Sequence, residues 1–505
     1  MAFDAISLPW PVILFLVAIV SILSIAIERR YLGSLHSIPG PSLASITTLW
    51  KIHQISSGHT EETMLDLHKK HGIFVRIAPN EISIGHPSAV PSLLHSKLPK
   101  GSWYEIFSIP DHRFVSQMSE TDPARHIAKG KNVAAGYALS NIIKSEREVD
   151  SIIATVQEQL DKRIVGSSGG GEEVHLDKWF NFFAFDVVGE VTFSRSFGFS
   201  KAGRDIGNAI ANARKLALYV SIMGHYVWLH HLTLGNPLLS RLGLIPASHL
   251  FDTCVSAIGA RKRNPDARDD MMARWLHTRN TYPDRMAENE VFAAAAANVG
   301  AGAETVSASL QALMYYLLKT ERRGLGYLRR VQRELDKAQR EGKLSDIVQY
   351  AEAMGLVYLQ ACIKEAYRYH SAIGTNLPRV VPKGGLTIEG RYFEEGTILS
   401  VNLWVIHRNT EIFGSDANEF NPERWLTGDK ERAAKMEYYL VHWGAGYNQC
   451  PGRNLAHFEI SKLSATLLRD YEYELVQPEK EWTFSNHFIT TPWGWPCWVR
   501  RRAVE

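Results

Sequence analysis

A chain of 505 residues with 45% hydrophobic and 22% charged side chains has the apolar mass for a large core, which excludes disordered and collagen-like classes. Lysine and arginine total 56 against 53 acidic residues, so the basic field of a nucleic-acid binder is missing. The four cysteines, at 254, 362, 450 and 497, form no Cys-x-x-Cys pair; neither a disulfide framework nor a zinc cluster is expected, and a reducing, cytosol-facing location fits.

In chain order, the first element is the uncharged run from Leu8 to Ile27, which at ~1.5 Å per residue crosses a hydrocarbon core of ~30 Å once. Glu28, Arg29 and Arg30 follow it and only Asp4 precedes it, so the positive-inside rule leaves the C-terminal bulk in the cytoplasm. A cleaved signal peptide is the weaker reading, for no basic n-region precedes the run and no small-x-small cleavage site follows it. "SIPGPS" at Ser37 to Ser42 stops a helix and stiffens the chain. The expected division is an anchor over 1–30, a Pro-rich hinge over 31–45 and one large domain over 46–505, since the remainder holds no second spanning run, no internal repeat and no long linker.

"IFVRIAPNEISIG" from Ile73 reads as strand, and the aliphatics of residues 142–165 recur every three or four positions, as in an amphipathic helix. "GSSGGGEE" at Gly166 to Glu173 lacks the Lys-Ser/Thr of a phosphate cradle and reads as an exposed loop. The stretch from Leu216, "LALYVSIMGHYVWLHHLTLGNPLL", is apolar and aromatic enough for a membrane-dipping entrance, and core helix is an equally fair reading. "AAAAANVGAGAETVSAS" from Ala293 favours helix, yet Gly300 and Gly302 each cost ~1 kcal/mol there, so something needs the missing side chains. Residues 316–344 carry a further amphipathic pattern, and "GLTIEGRYFEEGTILSV" from Gly385 alternates like strand. The fold class is therefore mainly α with small β-sheets.

"HWGAGYNQCPGRNLAHFE" at His442 to Glu459 places a lone cysteine between a glycine-rich turn and a helical pattern. Glycines 444, 446 and 452 let backbone pass close to a flat object, and Pro451 suits a first helical turn. A cysteine at a helix N-terminus is pushed toward the metal-binding thiolate, although an inert buried thiol would read the same way.

Taken together these residues resemble the cytochrome P450 family of haem-thiolate monooxygenases. The family signature Phe-x-x-Gly-x-Arg-x-Cys-x-Gly-x-x-x-Ala is met in register by Trp443, Gly446, Cys450, Gly452 and Ala456, with Asn448 at the arginine position. "KEAYR" places Glu365 and Arg368 on the family's Glu-x-x-Arg helix, and "FNPERW" supplies Arg424. The resemblance implies a buried network of these three that holds the fold. It also identifies Ala301, Gly302, Glu304 and Thr305 with the oxygen-activation motif, in which an acid and a hydroxyl deliver protons. Arg379 and His126 are implied to contact the haem propionates; Gly130 replaces a second basic residue there, with Lys131 as a possible substitute.

The resemblance further implies a P450 fold behind the single transmembrane helix and haem b with Cys450 as axial ligand. Electrons would come from NADPH through a cytochrome P450 reductase, to a monomer in the endoplasmic reticulum membrane with its catalytic domain cytoplasmic. Pro451 lacks an N–H and withholds one hydrogen bond from the sulfur. By family position the substrate pocket is expected from Trp103, Tyr104, Phe107, the Ala294–Asn298 turn, Ile373 to Asn376 including Thr375, and Phe488 with Ile489. A lipophilic small molecule of fungal secondary metabolism (terpenoid, alkaloid or polyketide) is the implied substrate. Rival functions are a haem-thiolate rearrangement or dehydration, against which the Glu304–Thr305 pair argues, and a non-catalytic haem sensor, which would show no NADPH-dependent turnover.

Overall fold

The poly-alanine run lies inside one unbroken helix of 35 residues, Glu288–Arg322, in a computed structural model that describes residues 9–165, 172–242, 249–264 and 268–502. Its start is fixed by the Glu290 carboxylate, which accepts the Ala287 N–H at 3.0 Å. The reason for Gly302 is packing: a Cβ there would stand 2.7 Å from Val188 Cγ2 on the buried Leu176–Phe193 helix. Gly300 faces open space instead. Gly302→Ala is accordingly expected to destabilise the protein by ~1–3 kcal/mol despite alanine's better helix propensity, with recovery on adding Val188→Ala. Thermal denaturation of the single and double variants checks this.

Around these two helices sits the main core, which also takes in the Val357–Tyr369 and Arg453–Asp470 helices. The predicted strands are small and lie to one side. Phe74–Ala78 pairs antiparallel with Glu81–Ile84, which runs parallel to Ile398–Asn402, which in turn pairs antiparallel with Asn376–Val380. A second, two-stranded sheet joins Thr483–His487 to Ile489–Trp493 through Phe488 alone. Phe488 has φ +75°, a conformation that bulky residues avoid at a cost of ~1–3 kcal/mol. It is held there by aromatic neighbours described below.

Two expected helical stretches are subdivided. Residues 142–165 begin with a short 3-10 turn before the helix Glu146–Val165, and 316–344 is broken between Arg322 and Tyr327, where Gly324 and Gly326 both take positive φ. Gly166–Glu173 lies largely outside the described residues. The stretch from Leu216 forms the end of the helix Ala209–Met223 and the helix Val227–Leu232, with Leu216, Leu218, Trp228 and Leu232 exposed and Val220, Ser221 and His230 buried. The buried residues fit the core-helix reading only in part.

At the N-terminus, the uncharged helix Trp10–Ile27 buries no residue and, with the charged turn Glu28–Leu32, makes a candidate membrane span of 23 residues; Leu8 and Asp4 lie outside the described residues. The segment expected as a hinge is tied down. Arg76, on the first strand, donates to the carbonyls of Arg29 at 2.8 Å and Leu35 at 3.4 Å, and its own N–H bonds the Pro39 carbonyl at 2.8 Å. Arg29 in turn donates to the Ile46 carbonyl at 2.9 Å.

Candidate functional site

The loop before the Arg453–Asp470 helix is shaped by its glycines. Gly444 and Gly446 have φ of +69° and +57°, and a Cβ on Gly446 would press the Leu94 carbonyl at 2.7 Å. Their close approach is therefore to neighbouring backbone, a reason the sequence did not disclose. Helix geometry begins at Arg453, so Pro451 lies in the turn that precedes it. The Cys450 N–H bonds the Trp443 carbonyl at 2.7 Å, and the backbone N–H groups of Gly452 and Arg453, beyond the proline that offers none, favour the charged form of the sulfur. Solvent reaches Cys450 although protein surrounds it, so its side chain lines an internal gap. Burial pushes the thiol up from its ordinary value and outweighs the helix N–H groups, which leaves it a thiol until a cation stands beside it.

On the long helix, Gly300 and Ala301 are exposed although Val299 and Ala303 on either side are buried. The Thr305 hydroxyl donates to the Ala301 carbonyl at 2.8 Å, which leaves its lone pairs free. Glu304 turns away into the protein. It is 4% exposed, and its Oε1 has Arg214 Nε at 3.7 Å, an ion pair longer than a hydrogen bond. Burial raises its carboxyl to about 7 despite the opposing pull of the Arg214 charge. Arg214, on the Ala209–Met223 helix and partly open to solvent, had no signal in the sequence.

A second group of side chains gathers below the Asn376–Val380 strand. Lys100 and Arg379 face one another across an isolated antiparallel bridge and are both buried. Lys100 donates to the carbonyls of Gln117 at 3.2 Å and Met118 at 2.6 Å, Arg379 to that of Pro378 at 2.9 Å, and no carboxylate among the described residues pairs with either. Burial, and then the Arg379 charge, push Lys100 down to about 7. His126, on the Pro123–Val133 helix, packs edge-on against Tyr447, leaves Nδ1 without a partner, and is driven to about 4 by burial and then by Lys100. At neutral pH it offers a hydrogen bond, not a charge. Lys131 is exposed and does not substitute here; the sequence reading missed Lys100, whose pairing with Arg379 spans most of the chain. Gly130 makes room for Gln117, whose Nε2 would lie 2.8 Å from an added Cβ.

The Glu365 network is complete. Arg368 bonds both carboxylate oxygens at 2.9 and 2.7 Å, Arg424 Nε reaches Oε1 at 3.1 Å, and the Trp425 indole reaches Oε2 at 2.9 Å. Arg368 also donates to the carbonyls of His407, Ala417 and Glu419, which ties the helix to the segment leading to the cysteine loop.

Of the expected pocket residues, Trp103, Phe107 and Phe488 come together, their ring centroids 5.2 to 5.3 Å apart, and Ile373 bridges Ile489 beside them. Thr375 and Trp103 line one cleft. Tyr104 joins this cluster through Trp103, with ring centroids 5.2 Å apart, and also presents its ring to Lys100 Nζ at 4.8 Å, while the Asn298 amide is engaged by Tyr137 at 3.0 Å and Thr192 at 2.7 Å.

A solvent-reached thiol inside the protein and two buried cations without an anion fit a flat, metal-bearing group that carries carboxylates, because buried charge is stable only when paired. Trp443 and Gly452 adjoin Cys450, Ala301 is exposed on the long helix, and the orphaned Asn448 Nδ2 and Arg379 Nε remain available to such a group. The sequence model described as Cytochrome P450 matches residues 39–493. A cytochrome P450 monooxygenase, cicH, of Emericella nidulans is 32% identical over 473 residues, 91% of this chain and 92% of that one. Pisatin demethylase of Fusarium vanettenii is 31% identical over 491 residues, covering 94% of this chain and 91% of its own. The match runs through the cysteine loop, the Glu365 helix and the long helix alike, and the chain belongs to the cytochrome P450 family of haem-thiolate monooxygenases, which draw electrons from a redox partner.

Proposed function

We propose that this chain inserts oxygen into a lipophilic intermediate of fungal secondary metabolism, of terpenoid, alkaloid or polyketide type, with NADPH electrons delivered by a cytochrome P450 reductase. The observation that carries the reading is the enclosed yet solvent-reached thiol of Cys450 together with the unpaired Lys100–Arg379 pair. Cys450 would hold the haem iron, and Arg379, Lys100 and neutral His126 its carboxylates. When bound, the haem supplies the redox chemistry that activates dioxygen.

The chain's own part is protons and positioning. Thr305 Oγ1, anchored on the Ala301 carbonyl, keeps an acceptor toward the gap, and Glu304, which titrates near neutrality, carries protons between it and the side of Arg214. Trp103, Phe107, Phe488, Ile373 and Ile489 exclude water from an apolar substrate. Residues 1–30 would anchor the protein in the endoplasmic reticulum membrane, 31–45 connect, and 46–505 form a monomeric cytoplasmic catalytic domain. Co-expression with a reductase, followed by mass analysis of products made under isotopic dioxygen, tests the reading; a product without label overturns it.

Two further outcomes follow. Arg379→Ala combined with Lys100→Met should weaken haem retention by ~10- to 100-fold, the worth of hydrogen bonds to charged groups, measured as haem loss to apomyoglobin. Retention equal to the parent's would contradict the assignment. Glu304, raised from about 4.5 to about 7 on folding, binds its proton more tightly in the native state, so it stabilises the fold at low pH and that contribution is lost as pH rises through this window. Glu304→Gln should flatten that slope in thermal denaturation and lower turnover with the rate no longer changing near pH 7.

A further inference from the structure

A narrow cleft, with about 20 Å3 of room inside an envelope of about 470 Å3 that runs out into solvent, lies between the helices Leu49–Ser57 and Thr60–His71, the end of the Ala209–Met223 helix and the start of the Asn376–Val380 strand. Trp103 belongs both to it and to the aromatic cluster with Phe107 and Phe488, so the cleft continues the apolar pocket. Its chemistry is different.

Three hydroxyl-bearing residues line it, Thr60, Ser221 and Thr375, exposed by 4%, 0% and 8%, and none of the three hydroxyls has a hydrogen-bond partner. Other buried hydroxyls on long helices of this protein bond back to the preceding turn, as Thr320 does to the Tyr316 carbonyl at 2.6 Å and Ser464 to that of Ile460 at 2.6 Å, although Ser200, on a single-turn helix, also stands without a partner. Ser221 sits on a helix and does not, although its own carbonyl is engaged by the Trp103 indole at 3.3 Å. A buried hydroxyl without a partner is costly, and three in one cleft is a concentration that packing does not explain. Asn376, on the same wall, is by contrast fully used by Ser83, Ser400 and Asn402.

Lys51 decides the sign. Its ammonium bonds Glu81 Oε2 at 2.6 Å, which neutralises its charge and leaves two of its three N–H donors unused at the cleft wall. The hydroxyls, the Gln54 amide and the neutral His225 imidazole can each donate or accept, whereas an ammonium only donates, so Lys51 tips the set toward acceptors.

We infer that this cleft seats an oxygen-bearing end of the substrate, a carbonyl or carboxylate that accepts hydrogen bonds from Ser221, Thr375 and Lys51. The substrate class is thereby an apolar or aromatic skeleton with an oxygen acceptor at one end. This rests on the oxygenase reading only in treating the occupant as the substrate.

The test is equilibrium dialysis of the ferric holoenzyme against four probes of one skeleton: naphthalene, 2-acetylnaphthalene, 2-naphthoate and 2-naphthylmethylamine. The ketone or the carboxylate is expected to bind ~10-fold or more tightly than naphthalene, the worth of one or two ordinary hydrogen bonds. Ser221→Ala with Thr375→Val should remove that preference and leave naphthalene binding within about twofold, while Thr375→Ser keeps it. Since Thr375→Val deletes an unsatisfied group, the ligand-free variant should melt no lower than the parent, which separates loss of recognition from loss of fold. Equal binding of naphthalene and the two acceptors, tightest binding of the amine, or a double variant that weakens all four probes alike would overturn the inference. The red-shifted Soret band under carbon monoxide is recorded on the same samples: a chain with the band and no preference loses only this inference, and one with the preference and no band loses only the oxygenase reading.

Discussion

Glu365→Ala is expected to leave little folded protein. The carboxylate answers two guanidinium groups, an indole N–H and the Asn421 N–H, and neither Glu365 nor Arg368 is exposed at all. Removing it strands two cations in a region that water does not reach. Breaking a buried ion network of this kind costs ~3–5 kcal/mol, a large share of the ~5–15 kcal/mol that holds a domain together. Soluble yield and thermal denaturation measure the effect, and Glu365→Asp, which keeps the charge but shortens the reach, should fall between the parent and Glu365→Ala. A loss under about 1 kcal/mol for the alanine variant would mean that the network is as dispensable as a surface pair.

Cys450→Ser should have the opposite profile, an intact fold with abolished function. The residue's structural bond runs from its backbone N–H to the Trp443 carbonyl, which serine preserves. What it loses is the thiolate donor. The dithionite-reduced variant under carbon monoxide should lack the red-shifted Soret band of thiolate ligation, and oxygenation should fall to background while the melting temperature of the haem-free protein stays near the parent's. No other thiol is placed to take over, because Cys254, Cys362 and Cys497 are buried and burial pushes all three up, Cys254 to about 12. Retention of the band would remove Cys450 from the metal.

What the sequence discloses here is the local and the periodic. The anchor, the long helix, the Phe74–Ile84 hairpin and the Glu365–Arg368 pair are each set by residues within a few turns of one another, where helix and strand periods act. Contacts across the chain are another matter. Lys100 gains its meaning only from Arg379, more than half the length of the chain away, and Glu304 from Arg214 on another helix; no spacing rule reports such pairs. The same limit explains Tyr104 and Asn298. Both sit at the expected positions along the chain, and yet the first serves the buried cations as well as Trp103 and the second is engaged by Tyr137 and Thr192, orientations that packing partners decide. Gly302 shows a further limit: the missing side chain was legible, but its cause, Val188, lies on a helix with which it shares no motif.

The attachment of the N-terminal helix has a mechanical consequence. With Arg76 gripping the carbonyls of Arg29 and Leu35, and Arg29 reaching back to Ile46, the junction is a bracket, not a tether. Any roll or lean of the apolar helix within a lipid sheet must swing the first strand, and with it the whole body, through the same angle. Were that helix seated in lipid, the attitude of the body would be written into three guanidinium contacts and would not drift with the slack of a leash.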